Sequence, residues 1–86
     1  MSKKEIVIAD VVDKYDNPIA ELVQVACQFS SSLYLVRGNH RINAKSIMGM
    51  MSLSLVSGEE IEVSAEGTDE GAALTGIENF LRGKGA

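Results

Sequence analysis

Between Glu60 and Glu66 the chain alternates strictly, with Ile61, Val63 and Ala65 set between Glu60, Glu62, Ser64 and Glu66. Successive side chains of a strand point to opposite faces, so this pattern describes a strand with one face buried and the other in water. A chain containing it must build a sheet that is covered on one side only. With 86 residues, 45% of them hydrophobic, the cover has to come from the same small domain, read here as one unit over residues 1–86.

The remaining elements can be placed around that strand. Ile6, Val7, Ile8 and Val11 predict a first strand over Glu5 to Val11. Asn17 followed by Pro18 is a helix start: the asparagine can cap, and proline at the first position lacks only an N–H that would have no partner. Ile19, Leu22, Val23, Ala26 and Phe29 then recur at three- and four-residue spacing, giving one apolar face, and Ser30 to Ser32 are expected to end the helix. Leu33 to Arg37, a tight turn at Gly38-Asn39 and His40 to Ala44 read as a hairpin. Thr68-Asp69-Glu70 opens a last helix striped by Ala73, Leu74, Ile77 and Leu81 and ended by Arg82-Gly83, with Gly71 and Gly76 each weakening it by about 1 kcal/mol. Counting a short helix after Ser46, the order is β-α-β-β-α-β-α. This is an α+β open-faced sandwich, an antiparallel sheet with its helices on one face and solvent on the other.

Eight Lys and Arg against twelve Asp and Glu give a net charge of −4, a field that repels nucleic acid and anionic lipid. No apolar run approaches the roughly 20 residues of a membrane-spanning helix, and the opening Met-Ser-Lys-Lys-Glu lacks a signal-peptide core, so a cytoplasmic protein is expected. The single cysteine, Cys27, cannot form an internal disulfide and is read as a small core hydrophobe. His40, the only histidine, is read as an ordinary exposed side chain at the hairpin turn. No metal, no cofactor and no catalytic residue is expected.

The stretch NAKSIMGMMSLSL, residues 43–55, holds three of the four methionines. Ser46 stands where a helix cap belongs, and its hydroxyl can accept a hydrogen bond from an N–H one turn in. A helix this short cannot bury Ile47, Met48, Met50, Met51, Leu53 and Leu55 together, so Ile47 and Met48 are expected on the surface. Exposed methionine suits surfaces that adapt to partners. A serine at a helix N-terminus is also a favourable place for a phosphate, which would add about −1.5 to −2 charges beside the apolar patch. A plain cap and a phosphorylated switch both fit the residues.

The segment Ile42 to Leu53, with Gly58-Glu59-Glu60-Ile61 and Glu66-Gly67-Thr68-Asp69-Glu70-Gly71-Ala72-Ala73-Leu74 after it, strongly resembles the HPr family of sugar phosphotransferase phosphocarriers. The likeness spans nearly the whole chain without insertions. It implies the family's open-faced β-sandwich, a four-stranded antiparallel sheet covered by three helices.

At the other end of the molecule the chain departs from that family. Members that carry phosphate on histidine have Gly-Leu-His-Ala-Arg-Pro-Ala at the start of the first helix; here the seven residues are Asp13-Lys14-Tyr15-Asp16-Asn17-Pro18-Ile19. The carrier histidine falls on Tyr15 and the phosphate-holding arginine on Asn17. An imidazole is nucleophilic near neutral pH and yields a high-energy phosphoramidate, whereas a phenol is mostly protonated and its ester is far more stable. Loss of the arginine removes a bidentate phosphate contact, and Asp13 and Asp16 place negative charge where a phosphoryl donor would dock.

One branch of the family, the catabolite repression HPr-like proteins, keeps the serine and lacks the histidine. By resemblance to it, Ser46 is the phosphoacceptor of the HPr kinase/phosphorylase, and Ile47, Met48 and Met51 form the docking patch. The second implied partner is the catabolite control protein A, although the family's arginine also contacts that repressor and here is Asn17. Three classes stay open: a regulatory protein switched at Ser46, a divergent phosphocarrier, and an interaction module in which Ser46 only caps. A homodimer is permitted by the exposed methionines and a short first strand.

Overall fold

The computed structural model describes residues 2–9, 15–53 and 55–83. Four strands and three helices follow in the order β1 (Ser2–Val7), α1 (Pro18–Cys27), β2 (Ser32–Arg37), β3 (His40–Asn43), α2 (Ile47–Met50), β4 (Glu60–Glu66) and α3 (Glu70–Leu81). The sheet is antiparallel throughout with spatial order β1-β4-β2-β3. Ile61, Val63 and Ala65 of β4 are buried, as are Ile6 on β1 and Leu33 and Leu35 on β2, so one face of the sheet forms one side of the core. The helices supply the other side through Leu22 and Ala26 of α1, Met50 of α2, and Ala73, Ile77, Phe80 and Leu81 of α3, and Ile8, Tyr15, Ala44 and Leu53 join from the connecting segments.

The expected α+β architecture is the one observed, and β4 has the expected bounds. Asn17 caps α1 through its Oδ1, which accepts from the Ala20 N–H, while Glu21 accepts from the Asn17 N–H. Arg37 pairs with His40 across the two-residue Gly38-Asn39 turn, where Gly38 has φ +58°. At the end of α3, Gly83 takes φ +76° and donates to the Phe80 carbonyl.

Other expectations need correction. The first strand begins three residues earlier than expected and is assigned only to Val7, although Ile8 still bonds the Glu59 carbonyl; Val11 lies outside the described residues. Two of the missed residues, Ser2 and Lys4, are polar but face the helices: the Ser2 hydroxyl bonds Glu70, and the Lys4 ammonium lies 2.8 Å from Glu78. An edge strand can carry such side chains because they reach over the core rather than into it. Helix α1 ends at Cys27, not among the serines. Cys27 is exposed, one residue past buried Ala26 and so rotated about 100° off the apolar stripe. Gly76 is less a weakness than an accommodation, since a Cβ there would come within 2.7 Å of the Phe29 ring that α1 delivers onto α3.

The loops before β2 and before α3 are joined by Asp69. Its carboxylate accepts from the Ser30 and Ser31 N–H groups, each at 2.9 Å, and from the buried Ser31 hydroxyl. The approach is close enough that Gly67, at φ +151°, would set a Cβ 2.7 Å from the Ser31 Cα. Gly67→Ala should therefore destabilise the fold by about 1–3 kcal/mol in urea unfolding, because the obstruction is backbone.

The same latch gives a pH dependence. The Ser31 hydroxyl, followed by the Ser30 N–H, holds the Asp69 carboxyl below its ordinary value of 3.8, and the Ser2 hydroxyl lowers Glu70 likewise. A carboxylate with a depressed folded pKa contributes stability that is complete above its unfolded pKa and is lost as pH falls through the folded value. Unfolding midpoints measured below about pH 4 should fall less steeply with acid in Asp69→Asn than in the parent chain.

Candidate functional site

Ser46 is held by the turn that leaves β3. Ala44 is fully buried and donates to the Leu33 carbonyl, Asn43 Oδ1 accepts from the Lys45 N–H at 2.9 Å, and the Asn43 carbonyl accepts from the Ser46 N–H at 3.0 Å. The Lys45 ammonium donates to the Phe29 carbonyl at 2.6 Å, tying this turn to the end of α1, where a cation suits the helix dipole. The turn delivers Ser46 in an extended conformation, and its Oγ accepts from the Gly49 N–H at 3.3 Å. Ser46 is half-buried.

Helix α2 divides its apolar residues as its length requires. Met50 is fully buried and anchors it, while Ile47, Met48 and Met51 are 44%, 83% and 73% exposed. The surface expectation for Ile47 and Met48 holds, and Met51 joins them. A shallow apolar groove of about 440 Å³ runs between α1 and α2, lined by Asn17, Ile19, Ala20, Ile47 and Met51. The fold thus brings Asn17 beside two of the three proposed docking residues, while Met48 stands outside the groove.

Tyr15 has a different fate. It is 6% exposed, its ring stacks on Phe80 with centroids 4.1 Å apart and planes 9° from parallel, and its hydroxyl donates to the Phe80 carbonyl at 3.1 Å. The side chain therefore seals the gap between the entry to α1 and the end of α3. Asp16 and Asn17 are exposed beside it; Asp13 and Lys14 lie outside the described residues. Asn17 spends its amide oxygen on the α1 cap. His40 is exposed on β3, as expected.

The burial of Tyr15 has no local signature in the sequence. The one available signal was Phe80, an aromatic on the α3 stripe with no partner assigned to it. Among the described residues no group of acidic, histidine or cysteine side chains could hold a metal ion, and no helix is long and apolar enough to cross a membrane.

Comparison with known proteins places this architecture. Residues 2–83 match the family model described as the PTS HPr component phosphorylation site. The phosphocarrier protein HPr of Treponema pallidum is 40% identical over 84 residues, covering 98% of this chain and 96% of the relative. Among solved structures, HPr-C-His from Thermoanaerobacter tengcongensis superposes with TM-score 0.85 at 36% identity, covering 99% of this chain and 96% of that one. The Bacillus subtilis catabolite repression containing protein Crh, described as a dimer with a swapping domain, gives TM-score 0.73 at 37% identity over 81% of this chain and 80% of its own.

If Tyr15 is a packing residue, its two contacts should separate by mutation. Tyr15→Phe keeps the stack and loses the hydroxyl bond, at a cost of about 1 kcal/mol, while Tyr15→Ala should cost about 3 kcal/mol or more in urea unfolding.

Proposed function

The chain belongs to the HPr family of the sugar phosphotransferase system, and within that family we propose that it is a regulatory member switched by phosphorylation of Ser46, without histidine phosphocarrier activity. The observation that carries this reading is the contrast between the two candidate acceptors. Tyr15 is packed in the core with its hydroxyl engaged, whereas Ser46 is half-buried beside three exposed apolar side chains.

In the proposed step the Ser46 Oγ attacks the γ-phosphorus of ATP, supplied by HPr kinase/phosphorylase. The bond to the ADP oxygen breaks, and the hydroxyl proton passes to a base on the kinase. Because Oγ acts as an acceptor toward the Gly49 N–H, its own proton is available for removal. The product carries a dianion at the N-terminal end of α2, and its charge changes the surface that Ile47, Met48 and Met51 present without requiring a change of fold.

At Tyr15 the same chemistry meets obstacles. A phosphoryl donor would have to draw the ring off Phe80, break the bond to the Phe80 carbonyl and approach past the carboxylate of Asp16. Asn17 offers no guanidinium to hold the group. These features support a protein that receives phosphate from ATP and passes none on. Among partners, the reading puts HPr kinase/phosphorylase first. Catabolite control protein A comes second, since a basic contact is replaced by Asn17. Exchange of the edge strand β1 between two copies is compatible with it, Crh being described as a swapped-domain dimer.

Intact-mass measurement after incubation with HPr kinase/phosphorylase and ATP should show one added phosphoryl group, mapped to Ser46. Ser46→Ala should stay unmodified while losing about 1 kcal/mol of stability with its cap. The parent chain should gain no acid-labile phosphate from phosphoenolpyruvate and the first enzyme of the phosphotransferase system. An unchanged mass in a tube where an ordinary HPr is modified overturns the reading.

A further inference from the structure

The face of the sheet opposite the helices carries a second constellation, independent of Ser46. Lys3, Ser64 and Tyr34 lie abreast on β1, β4 and β2. Their strand neighbours Ile61, Val63, Ala65, Leu33 and Leu35 all point into the core, so these three project toward solvent. Ser64 nonetheless is only 4% exposed, and its hydroxyl has no hydrogen-bond partner among the described residues. The cover comes from its neighbours: Arg41 of β3 folds its guanidinium over the Tyr34 ring, 3.8 Å from the centroid, and Lys3 lies on the other side. The result is a hollow of about 280 Å³ whose lining includes Lys3, Ser64, Arg41, His40 and Glu62.

The chemistry of that lining is unusual for this molecule. On a chain of net charge −4, two permanent cations here face one carboxylate. Neither Lys3 nor Arg41 forms an ion pair among the described residues. Stacking on Tyr34 holds the guanidinium in place while leaving its N–H edges unpaired among the described residues. The Ser64 hydroxyl stays open to solvent although the residue is only 4% exposed, so a polar ligand in the hollow would take the place of water there.

We propose that this hollow binds a small phosphate monoester bearing a free hydroxyl. The guanidinium and the ammonium match the phosphate oxygens, the Ser64 hydroxyl donates to a third, and Glu62 accepts from the hydroxyl of the ligand. The volume lies just under the roughly 300–1,000 Å³ of ordinary small-molecule sites, which limits the ligand to a few heavy atoms beyond the phosphate. The site uses no residue of the Ser46 surface, so Ser46→Ala should leave it intact.

The test is an amide-resolved NMR titration of the whole chain at constant ionic strength, with glycerol phosphate, inorganic phosphate and chloride as probes. Saturable shifts centred on Lys3, Arg41 and Ser64 are expected with both phosphates, tighter for glycerol phosphate, and none with chloride. Arg41→Gln should weaken binding by about tenfold or more, and Ser64→Ala by several-fold. Lys3→Gln, a change at an exposed position of an edge strand, should weaken it too and covers the case in which Arg41→Gln fails to fold. Shifts that rise linearly, that chloride reproduces, or that persist unchanged in both Lys3→Gln and Arg41→Gln overturn the proposal, as does equal affinity for inorganic phosphate and glycerol phosphate with respect to the role of Glu62.

Discussion

Because Ile61, Val63 and Ala65 put the apolar area of β4 on one side, every helix in the molecule has to lie on that side. The remaining packing follows. β4 sits between β1 and β2, so its alternation fixes the register of both, and a slip of one residue would turn three glutamates into the core. α3 crosses the covered face with Ile77 and Leu81, and its end is where Tyr15 finds Phe80. The entry to α1 is thus closed by the same layer of packing that the β4 pattern requires.

Much of this was legible because it is local. The cap at Asn17, the Gly38-Asn39 hairpin turn, the Gly83 stop and the exposure of Ile47 and Met48 each follow from a few neighbouring residues. What was not legible depends on contacts far apart in sequence. Ser2 and Lys4 look like a polar tail until Glu70 and Glu78 of α3 are beside them. Nothing near Tyr15 in sequence marks it as a core residue until Phe80, 65 residues later, is stacked against it. Ser64 belongs to the wet face by its period, yet Lys3 and the Arg41–Tyr34 stack close over it. Cys27 is different in kind: the helical stripe of Ile19, Leu22, Val23, Ala26 and Phe29 already excludes it, so its position outweighs the usual preference of cysteine for the core.

The Ser46 surface was legible as a pattern, but its composition was not. Sequence placed Asn17 and the α2 residues in separate stretches, and only the fold sets Asn17, Ile47 and Met51 around one groove. That groove joins the entry of α1 to the exposed side of α2. The identity of residue 17 consequently shapes the same surface as Ile47 and Met51.

The split within α2 has a wider consequence. Met50 alone tethers this four-residue helix to the interior, while the side chains on either side of it face outward. Drift at Ile47, Met48 or Met51 can accordingly remodel this exposed surface at little expense to folding, so its chemistry could change long before the architecture registers any difference.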